Sequence, residues 1–340
     1  MKILFICKAS TSTGFGHLIR SRTLVIQLLA QNPSLDITFK VIGEPLVERL
    51  LSEVDFPYEV VADEESLQLD QHFDICFFDL IPISDTFFKR VSDKVDLRVS
   101  ISPVFEKLEE VDLIFNRTKY HEWSDRFSAG QFYGGLEYSI IQSNCKRIKT
   151  SIYEDNLDLE QFPIAIIMGG GDAANKTLQF LKSLKECKVP ATFWVLLGEG
   201  YQHSYNELIN VIKSDSNHEI ILAKTNRSMW HILRNCILAI LPGGITTYEA
   251  AYAGLPTINM LEEEEKYYLI QELEENEVCL YNGLMNDKNL SRLNTMIESL
   301  YYNRKKLLLM HINAKDLIPD DTASEILSIC KQKIESLKIT

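Results

Sequence analysis

The chain has 340 residues, of which 46% are hydrophobic and 24% charged, a composition typical of a folded globular protein. This length is sufficient for two domains of ordinary size. The formal net charge of −13 argues against nucleic acid as a partner, because a nucleic-acid-binding protein needs a basic surface to displace counterions.

The first element predicted along the chain is a β-strand, KILFIC, rather than a secretion signal. Its apolar run is too short for a signal, and the polar stretch KASTST follows directly. No apolar run approaches the roughly 18 residues of a membrane-spanning helix. The seven cysteines form no CxxC pair, which suits a reducing compartment and speaks against a zinc site. We therefore expect a cytoplasmic protein with free thiols.

Short apolar, β-branched runs then alternate with longer helical patterns along the whole chain. The predicted strands are KILFIC, ITFKVIG, YEVV, FDICFFDL, LRVSIS and VDLIFN in the first half, and FPIAII, ATFWVLL, HEIILAK, ILAIL and PTINM in the second. These runs lack polar alternation, as is typical of parallel strands covered on both faces. The pattern predicts an α/β protein with two Rossmann-like, doubly wound domains that face each other across a cleft.

The predicted domains comprise residues 1–145 and 158–320. Between them, the polar stretch NCKRIKTSIYEDNLDLEQ has no convincing core pattern and is interpreted as the connection. Residues 321–340 are predicted to form a closing helix that could pack back on the first domain. The basic segment NRKKLLL, from Asn303, fits either a solvated helix face or a membrane-surface patch.

Two loops in the second half each contain glycines directly between a predicted strand and a predicted helix. Glycine lets the backbone approach an anion, and the following helix offers free N–H groups and its positive dipole end. The alternative is that these glycines only form tight turns. Two such loops in one domain favour a diphosphate site made of backbone amides. The residues concerned are Gly169, Gly170, Gly171 and Asp172 in the first loop, and Gly243, Gly244, Ile245, Thr246 and Thr247 in the second.

Three carboxylates are candidates for contact with the rest of such a ligand. Glu249 lies one turn inside the second helix, where it could accept hydrogen bonds from ribose hydroxyls; a solvated helix carboxylate is the alternative. Glu262 and Glu263 begin the run EEEEKYY after the strand PTINM and could contact sugar hydroxyls. Acidic residues also favour a helix start for electrostatic reasons alone.

The loop STSTGFGHLIRS, after the first strand, departs from a dinucleotide-binding loop. The pattern G-x-G-x-x-G needs a third glycine for close helix–strand packing, and Arg20 occupies that position. The dehydrogenase interpretation thereby loses its main support. What remains is His17 at a helix start behind Gly14 and Gly16, where a neutral imidazole would be a competent proton acceptor. A helix cap or packing residue is the alternative for His17. Gly14 is a candidate for the sugar or acceptor side.

The motifs GFGHLIR, MGGGDAAN and GGITTYEAAYAGLPTI, in this order, resemble those of the UDP-sugar hydrolases of the pseudaminic acid pathway and related spore-coat polysaccharide proteins. More distantly they resemble the lipid II-forming N-acetylglucosaminyltransferases. The likeness extends over most of the chain. It implies the GT-B architecture, with two Rossmann-like domains and a nucleotide sugar in the cleft, as substrate and not as a cofactor. No DxD motif lies on a suitable loop, so the sequence gives no sign of a metal site.

The resemblance also implies roles for individual residues. His17 matches the histidine that acts as base on the attacking water or acceptor hydroxyl, and Gly16 leaves room beside it. Glu249 matches the ribose-binding glutamate. The remaining correspondences are Gly169 to Asp172, Gly243, Gly244 and Thr246 at the phosphates, Ile221 and Leu222 near the uracil, and Asp79 as the one retained member of an Asp-Ser/His-Tyr stretch.

The departures from the family pattern lie on the sugar and water sides. The aspartate pair that typically follows the strand LRVSIS in the hydrolases is replaced by Ser102, Pro103 and Val104, and an Asn/Gln loop after PTINM is replaced by four glutamates. We therefore expect inverting glycosyl transfer from a nucleotide diphosphate sugar, UDP-linked, to the hydroxyl of a small-molecule, glycan or lipid-linked acceptor in bacterial surface polysaccharide or glycoconjugate synthesis. The alternatives are a UDP-sugar hydrolase and a non-catalytic nucleotide-sugar-binding partner.

Overall fold

The computed structural model describes residues 1–11, 13–101, 105–120, 126–128, 130–215, 217–224 and 229–339. The chain divides into two compact units. The first unit consists of Met1–Ile140 together with Asp320–Thr340, and the second consists of Ile141–Pro319.

The first unit contains a seven-stranded parallel sheet flanked by helices. Its strands are β1 (Lys2–Ala9), β2 (Asp36–Gly43), β3 (Tyr58–Val61), β4 (Phe73–Asp79), β5 (Val95–Ser100), β6 (Leu113–Asn116) and β7 (Phe132–Gly134). Its helices are α1 (Gly16–Gln31), α2 (Leu46–Leu51), α3 (Asp85–Ser92) and α12 (Thr322–Ile339). The strand order is β3-β2-β1-β4-β5-β6-β7.

Strand β1 shows why the apolar runs in the sequence are unbroken. Ile3, Phe5 and Cys7 pack into one buried cluster, to which α1 and α12 also contribute. Leu4 and Ile6 point to the opposite face and pack into a second cluster with α3. Because both faces of the sheet are covered, every position along the strand favours an apolar side chain.

The second unit contains a six-stranded parallel sheet in the order β10-β9-β8-β11-β12-β13. Its strands are β8 (Phe162–Ile166), β9 (Ala191–Leu197), β10 (Glu219–Lys224), β11 (Leu238–Leu241), β12 (Thr257–Leu261) and β13 (Cys279–Leu284). Its helices are α4 (Thr150–Leu157), α5 (Lys176–Ser183), α6 (Tyr205–Ser214), α7 (Met229–Leu233), α8 (Ile245–Ala253), α9 (Tyr268–Glu275), α10 (Asp287–Tyr302) and α11 (Arg304–Asn313). The predicted α/β class with doubly wound parallel sheets is confirmed.

Each sheet has a point at which the strand order reverses direction. This switch point lies between β1 and β4 in the first unit and between β8 and β11 in the second. Both orders begin with the 3-2-1-4-5-6 arrangement of the Rossmann fold, in which ligands bind beyond the carboxyl ends of the strands at the switch point. The loops after these four strands are therefore the places where functional residues are expected.

The stretch that we expected to be a polar connection contains helix α4. Its Tyr153 is fully buried, donates a hydrogen bond to the carbonyl of Ile237 at 2.8 Å and stacks on His311, with ring centroids 4.2 Å apart. Within this helix the buried residues are Tyr153 and Leu157. With only two buried positions, this helix shows too few apolar residues in its sequence for a helical periodicity to be recognised.

All seven cysteines are buried free thiols. Among the helices that the structure describes, none combines the length and the apolar character that crossing a membrane requires.

Candidate functional site

A histidine–aspartate pair lies at the switch point of the first unit. Asp79 is the last residue of β4 and is fully buried, and His17 is the second residue of α1. Nδ1 of His17 lies 2.6 Å from Oδ1 of Asp79. Two acceptors would repel each other at this distance, so Nδ1 carries the proton and donates it to the carboxylate. The lone pair of the neutral ring is then on Nε2, and the His17 side chain is 22% exposed.

Two neighbours of His17 on helix α1 hold the same carboxylate. Arg20 donates from Nε to Oδ2 of Asp79 at 2.9 Å and from Nη2 to Oδ1, and the Ser21 hydroxyl donates to Oδ2 at 2.9 Å. Burial alone would raise the pKa of Asp79, but the charge of Arg20 and the interaction with His17 outweigh it and hold that pKa well below its usual range. Asp79 is therefore ionised at neutral pH and fixes the ring of His17.

Arg20 is a functional candidate that sequence reasoning missed, because it was considered only as the residue in place of a third glycine. It lies three residues after His17, so the two side chains share one face of the helix, and its Nη2 is 3.1 Å from Nδ1 of His17. The spacing of three residues between His17 and Arg20 was the sequence signal that could have identified Arg20 as a candidate. Its partner Asp79 is 59 residues further along the chain, a distance that no local pattern reveals.

Gly14 and Gly16 lie close to His17 in the chain, at the start of α1. Gly14 has φ +81°, a left-handed conformation, and no atom lies within 4 Å of the position that a Cβ would occupy. Gly16 is the first residue of α1. Nearby, the hydroxyls of Ser10 and Thr13 lie 2.8 Å apart, and the N–H of Thr11 donates to Glu44. The sugar or acceptor contact of Gly14 stays a prediction.

In the second unit, the loop after β8 forms a cap for its own helix. Asp172 is buried, and its carboxylate accepts hydrogen bonds from the N–H groups of Lys176 at 2.7 Å and Thr177 at 3.0 Å. These N–H groups belong to the first two residues of helix α5. Because Asp172 already accepts from them, an anion at this loop would have to bind to other N–H groups. Gly169 has φ +95°, and the carbonyl of Gly170 accepts from the N–H of Gly200 at 3.0 Å. Gly171 stands between Gly170 and the capping aspartate.

The loop after β11 leaves its helix start open. Gly243 has φ +81°, and a Cβ there would lie 2.4 Å from Cδ2 of Leu261, so only glycine fits. A Cβ at Gly244, by contrast, would meet nothing within 4 Å. Ile245 and Thr246 begin α8 and are half-buried, and their N–H groups have no acceptor within the helix. Of the two loops, this one is the better suited to an anion.

Thr247 and Glu249, which lie deeper in α8, form hydrogen bonds to other side chains of the second unit. Thr247 is buried, and its hydroxyl donates to Oδ1 of Asn259 at 2.9 Å. Glu249 is fully buried, and its Oε1 accepts a hydrogen bond from Nε2 of Gln142 at 2.7 Å. A ribose that binds to Glu249 would have to contact a buried carboxylate that already accepts a hydrogen bond from Gln142. The roles of Thr247 and Glu249 in nucleotide binding stay predictions.

The first two glutamates after β12 form ion pairs with lysines. Oε1 of Glu262 lies 2.5 Å from Nζ of Lys176, and this hydrogen bond lowers the pKa of Glu262 against the opposing effect of burial. Glu263 pairs with Lys266 at 3.1 Å. Lys176 was not singled out from the sequence, although it is the first residue of a helix that follows a glycine loop.

The structure groups these candidates by unit. In the first unit, Gly16, His17 and Asp79 lie together at the switch point. In the second, both glycine loops and Glu262 follow the neighbouring strands β8, β11 and β12, whereas Ile221 and Leu222 are half-buried on the edge strand β10. Ser102, Pro103 and Val104, which replace the aspartate pair, lie outside the described residues. Within the part of the chain that the structure describes, no three His, Cys, Asp or Glu side chains are clustered to hold a metal ion.

Sequence comparison finds distant relatives. No family model matches the chain. The uncharacterized protein MJ1062 of Methanocaldococcus jannaschii is 23% identical over 274 residues, which are 78% of this chain and 56% of that protein. The UDP-2,4-diacetamido-2,4,6-trideoxy-beta-L-altropyranose hydrolase of Campylobacter jejuni is 24% identical over 200 residues, which are 56% of this chain and 68% of that enzyme. The match thus spans just over half the length of the archaeal relative.

Structure comparison gives matches over the full chain. MurG of Acinetobacter baumannii has a TM-score of 0.64 at 15% identity, covering 98% of this chain and 100% of that one. A putative UDP-N-acetylglucosamine 2-epimerase of Listeria monocytogenes has a TM-score of 0.67 at 13% identity, covering 99% and 97%. Alr3699/HepE of Anabaena, in complex with UDP-glucose, has a TM-score of 0.61 at 14% identity, covering 100% of both chains.

These similarities, together with the two parallel sheets, define the class of fold. The chain has the α/β, GT-B-type fold of nucleotide-sugar enzymes, and the predicted resemblance to them is confirmed at the level of the fold. By name, one relative is a hydrolase and one structural neighbour is a putative 2-epimerase, so the fold by itself does not define the reaction.

Proposed function

We propose that this protein transfers a glycosyl group from a nucleotide diphosphate sugar, UDP-linked, to an acceptor hydroxyl, with inversion at the anomeric carbon. The observation that carries the proposal is the 2.6 Å contact between Nδ1 of His17 and the ionised carboxylate of Asp79. It leaves Nε2 of His17 as the proton acceptor at a switch point. The Anabaena neighbour in complex with UDP-glucose supports the class of donor.

The residues of the first unit supply the base. Nε2 of His17 takes the proton of the acceptor hydroxyl while the hydroxyl oxygen attacks the anomeric carbon. The bond from that carbon to the diphosphate oxygen breaks, and its electron pair leaves with the nucleoside diphosphate. Asp79 remains ionised, keeps the ring in the required tautomer and stabilises the imidazolium that forms, as the carboxylate of a catalytic triad does.

The residues of the second unit hold the leaving group. The N–H groups of Ile245 and Thr246 at the start of α8, with the dipole of that helix, stabilise the negative charge that develops on the diphosphate. In this proposal such preorganised amides, rather than a metal ion, supply the stabilisation. We therefore expect turnover to be unchanged by EDTA; a loss of activity that Mg²⁺ restores would contradict this part of the proposal.

The acceptor is proposed to be a hydroxyl of a glycan or a lipid-linked glycoconjugate. Helix α11 exposes Lys305 and Lys306 together with Leu309 and Ile312, a combination that fits either solvent or an anionic membrane surface. Sedimentation with vesicles of anionic lipid distinguishes the two, because co-sedimentation that disappears at high salt requires a charged membrane contact.

A UDP-sugar hydrolase is the second candidate, and the Campylobacter jejuni relative favours it. The same base would then deprotonate water instead of an acceptor hydroxyl. The His17–Asp79 pair supplies the base in both reactions, and the replacement of the hydrolases' aspartate pair by Ser102, Pro103 and Val104 favours transfer.

The test begins with the nucleotide and then separates the reactions. A thermal-shift panel of UDP, GDP, CDP and dTDP identifies the base, and we expect UDP to stabilise the protein most. The protein is next incubated with UDP-sugars, with and without sugar acceptors. A glycoside formed only with acceptor supports transfer, whereas free sugar released without acceptor at full turnover rate shows hydrolysis. Binding of UDP-sugars without any turnover would leave the non-catalytic binding partner.

A further inference from the structure

A lysine at the start of helix α5 is almost completely buried and has a surface carboxylate as its counter-ion. The side chain of Lys176 is 7% exposed, and its Nζ lies 2.5 Å from Oε1 of Glu262, whose side chain is 53% exposed. A buried ammonium requires an anionic partner, because desolvation penalises an unpaired charge heavily. A half-exposed carboxylate has no such requirement, since water can solvate it.

The residues of this ion pair follow the two strands on either side of β11. Lys176 follows β8, Glu262 follows β12, and β11 lies between these two strands in the sheet. Neighbouring strands are about 4.8 Å apart, so β8 and β12, which precede the two residues, lie roughly 10 Å apart on either side of β11. Gly243 and Gly244 lead from the carboxyl end of β11 into helix α8. Leu261, the residue before Glu262, lies beside Gly243, since its Cδ2 is 2.4 Å from the position that a Cβ would take there. The ion pair therefore joins the end of the first glycine loop to a neighbour of the second.

A positive charge at this edge of the sheet would complement the two loops. The N–H groups of Lys176 and Thr177 at the start of α5 are bonded to the carboxylate of Asp172, so they do not offer an anion site. The start of α8 offers amides but contributes only the partial charge of a helix dipole. A full positive charge nearby would strengthen the binding of a diphosphate by these amides, and the Lys176 ammonium can supply it.

We propose that Lys176 binds the diphosphate of the donor, and that it exchanges Glu262 for phosphate oxygens when the donor enters. The assignment rests on the proposed function in so far as the ligand is a nucleoside diphosphate. The exchange keeps the buried ammonium paired with an anion in both states. The released Glu262 is solvated and keeps Lys266 as a neighbour, 3.8 Å away. In the free protein, Glu262 thus occupies the place that the diphosphate takes.

This exchange predicts opposite effects of removing the two charges. Lys176→Met should raise the Kd for UDP about 10-fold or more, because a charge-assisted hydrogen bond to phosphate is lost. It should change the Kd for uridine, which has no phosphate, by less than about 2-fold. Glu262→Gln should lower the Kd for UDP about 2-fold or more, since UDP no longer competes with a carboxylate for Lys176. A pair that only stabilises the fold would instead leave the Kd for UDP unchanged in both variants or raise it in both.

The experiment measures Kd for UDP and uridine by calorimetry on the full chain and on three variants. Lys182→Met is the matched control, because Lys182 is exposed on the same helix and should leave both Kd values unchanged. Equal UDP binding by the wild type and Lys176→Met, or weaker UDP binding by Glu262→Gln, overturns the exchange while the proposed function stands. Failure of the wild type to bind UDP overturns both. Should Lys176→Met not fold, the Kd of Glu262→Gln decides alone.

Discussion

The two units use one strand order to build different chemical environments. At the switch point of the first unit, side chains dominate: His17, Arg20 and Ser21 from one helix converge on the buried carboxylate of Asp79. At the switch point of the second, backbone dominates: Gly243, with positive φ, leads to helix α8, whose first N–H groups have no acceptor within the helix. Side-chain acids and bases move protons, whereas fixed amides hold anions. The proposed function therefore assigns the same topology two different tasks in one chain.

This contrast predicts that turnover and nucleotide binding can be lost separately. His17→Ala should lower kcat about 1000-fold, the middle of the range for general base catalysis, and leave the Kd for UDP unchanged. The measurement is steady-state turnover of the UDP-sugar together with the Kd for UDP. His72→Ala is the matched control, because His72 is an exposed histidine of the same unit, paired with Asp96. A His17→Ala enzyme within about 3-fold of wild-type kcat would remove the base from the proposal.

Asp79→Asn should lower the free energy of unfolding by about 3 kcal/mol, because it leaves the Arg20 guanidinium without a charged partner beside a buried site. Urea unfolding followed by circular dichroism measures this change. Asp96→Asn is the control, since Asp96 forms an exposed pair with His72 and should cost less than about 1 kcal/mol. If both variants lose the same free energy of unfolding, the burial of Asp79 does not increase the contribution of its charge to stability.

The pH dependence of stability follows from the lowered pKa of Asp79. An unfolded aspartate has a pKa of about 3.9, and the folded value lies below it, so the stabilisation is fully present above about pH 4 and is lost as the pH falls further. The difference in unfolding free energy between wild type and Asp79→Asn should therefore shrink as the pH is lowered from 6 to 3. A difference that grows over this range would contradict the assignment of an ionised Asp79.

Gly244→Ala tests the second unit at a site where a methyl group meets no protein atom. The new Cβ would occupy open space at the start of α8, where we propose that the diphosphate approaches the backbone. The melting temperature should be unchanged, and the Kd for UDP should rise about 10-fold. Gly243→Ala provides the contrast: its Cβ would lie 2.4 Å from Leu261, so it should lower the melting temperature as well. Unchanged UDP binding by Gly244→Ala would argue against the anion site at this loop.

The sequence predicted the class of fold and several of the elements that carry candidate residues. Unbroken apolar strands indicated sheets covered on both faces, and both sheets are parallel and doubly wound. The two glycine loops directly follow β8 and β11, and His17 lies at the start of α1, as predicted. These features are local: each depends on residues within a few positions of one another, which is the range that periodicity and turn signals cover.

What the sequence did not reveal depends on contacts between distant residues. The pairing of Arg20 with Asp79 and of Lys176 with Glu262 joins residues 59 and 86 positions apart. Asp172 was interpreted as part of a phosphate loop, but an aspartate just before a helix is also a strong capping residue. Only the structure shows that its carboxylate accepts from Lys176 and Thr177.

Helix α12 adds a consequence for how the chain is made. Its Ala323, Ile326 and Cys330 belong to the same buried cluster as Phe5 and Leu24 of the first unit, although the whole second unit precedes this helix in the chain. During synthesis from the N-terminus, the second unit is therefore complete before the first. The ribosome must release the last helix before the apolar side of the first sheet is fully covered. A nascent chain that ends before α12 should consequently remain a chaperone substrate even when its second unit has folded.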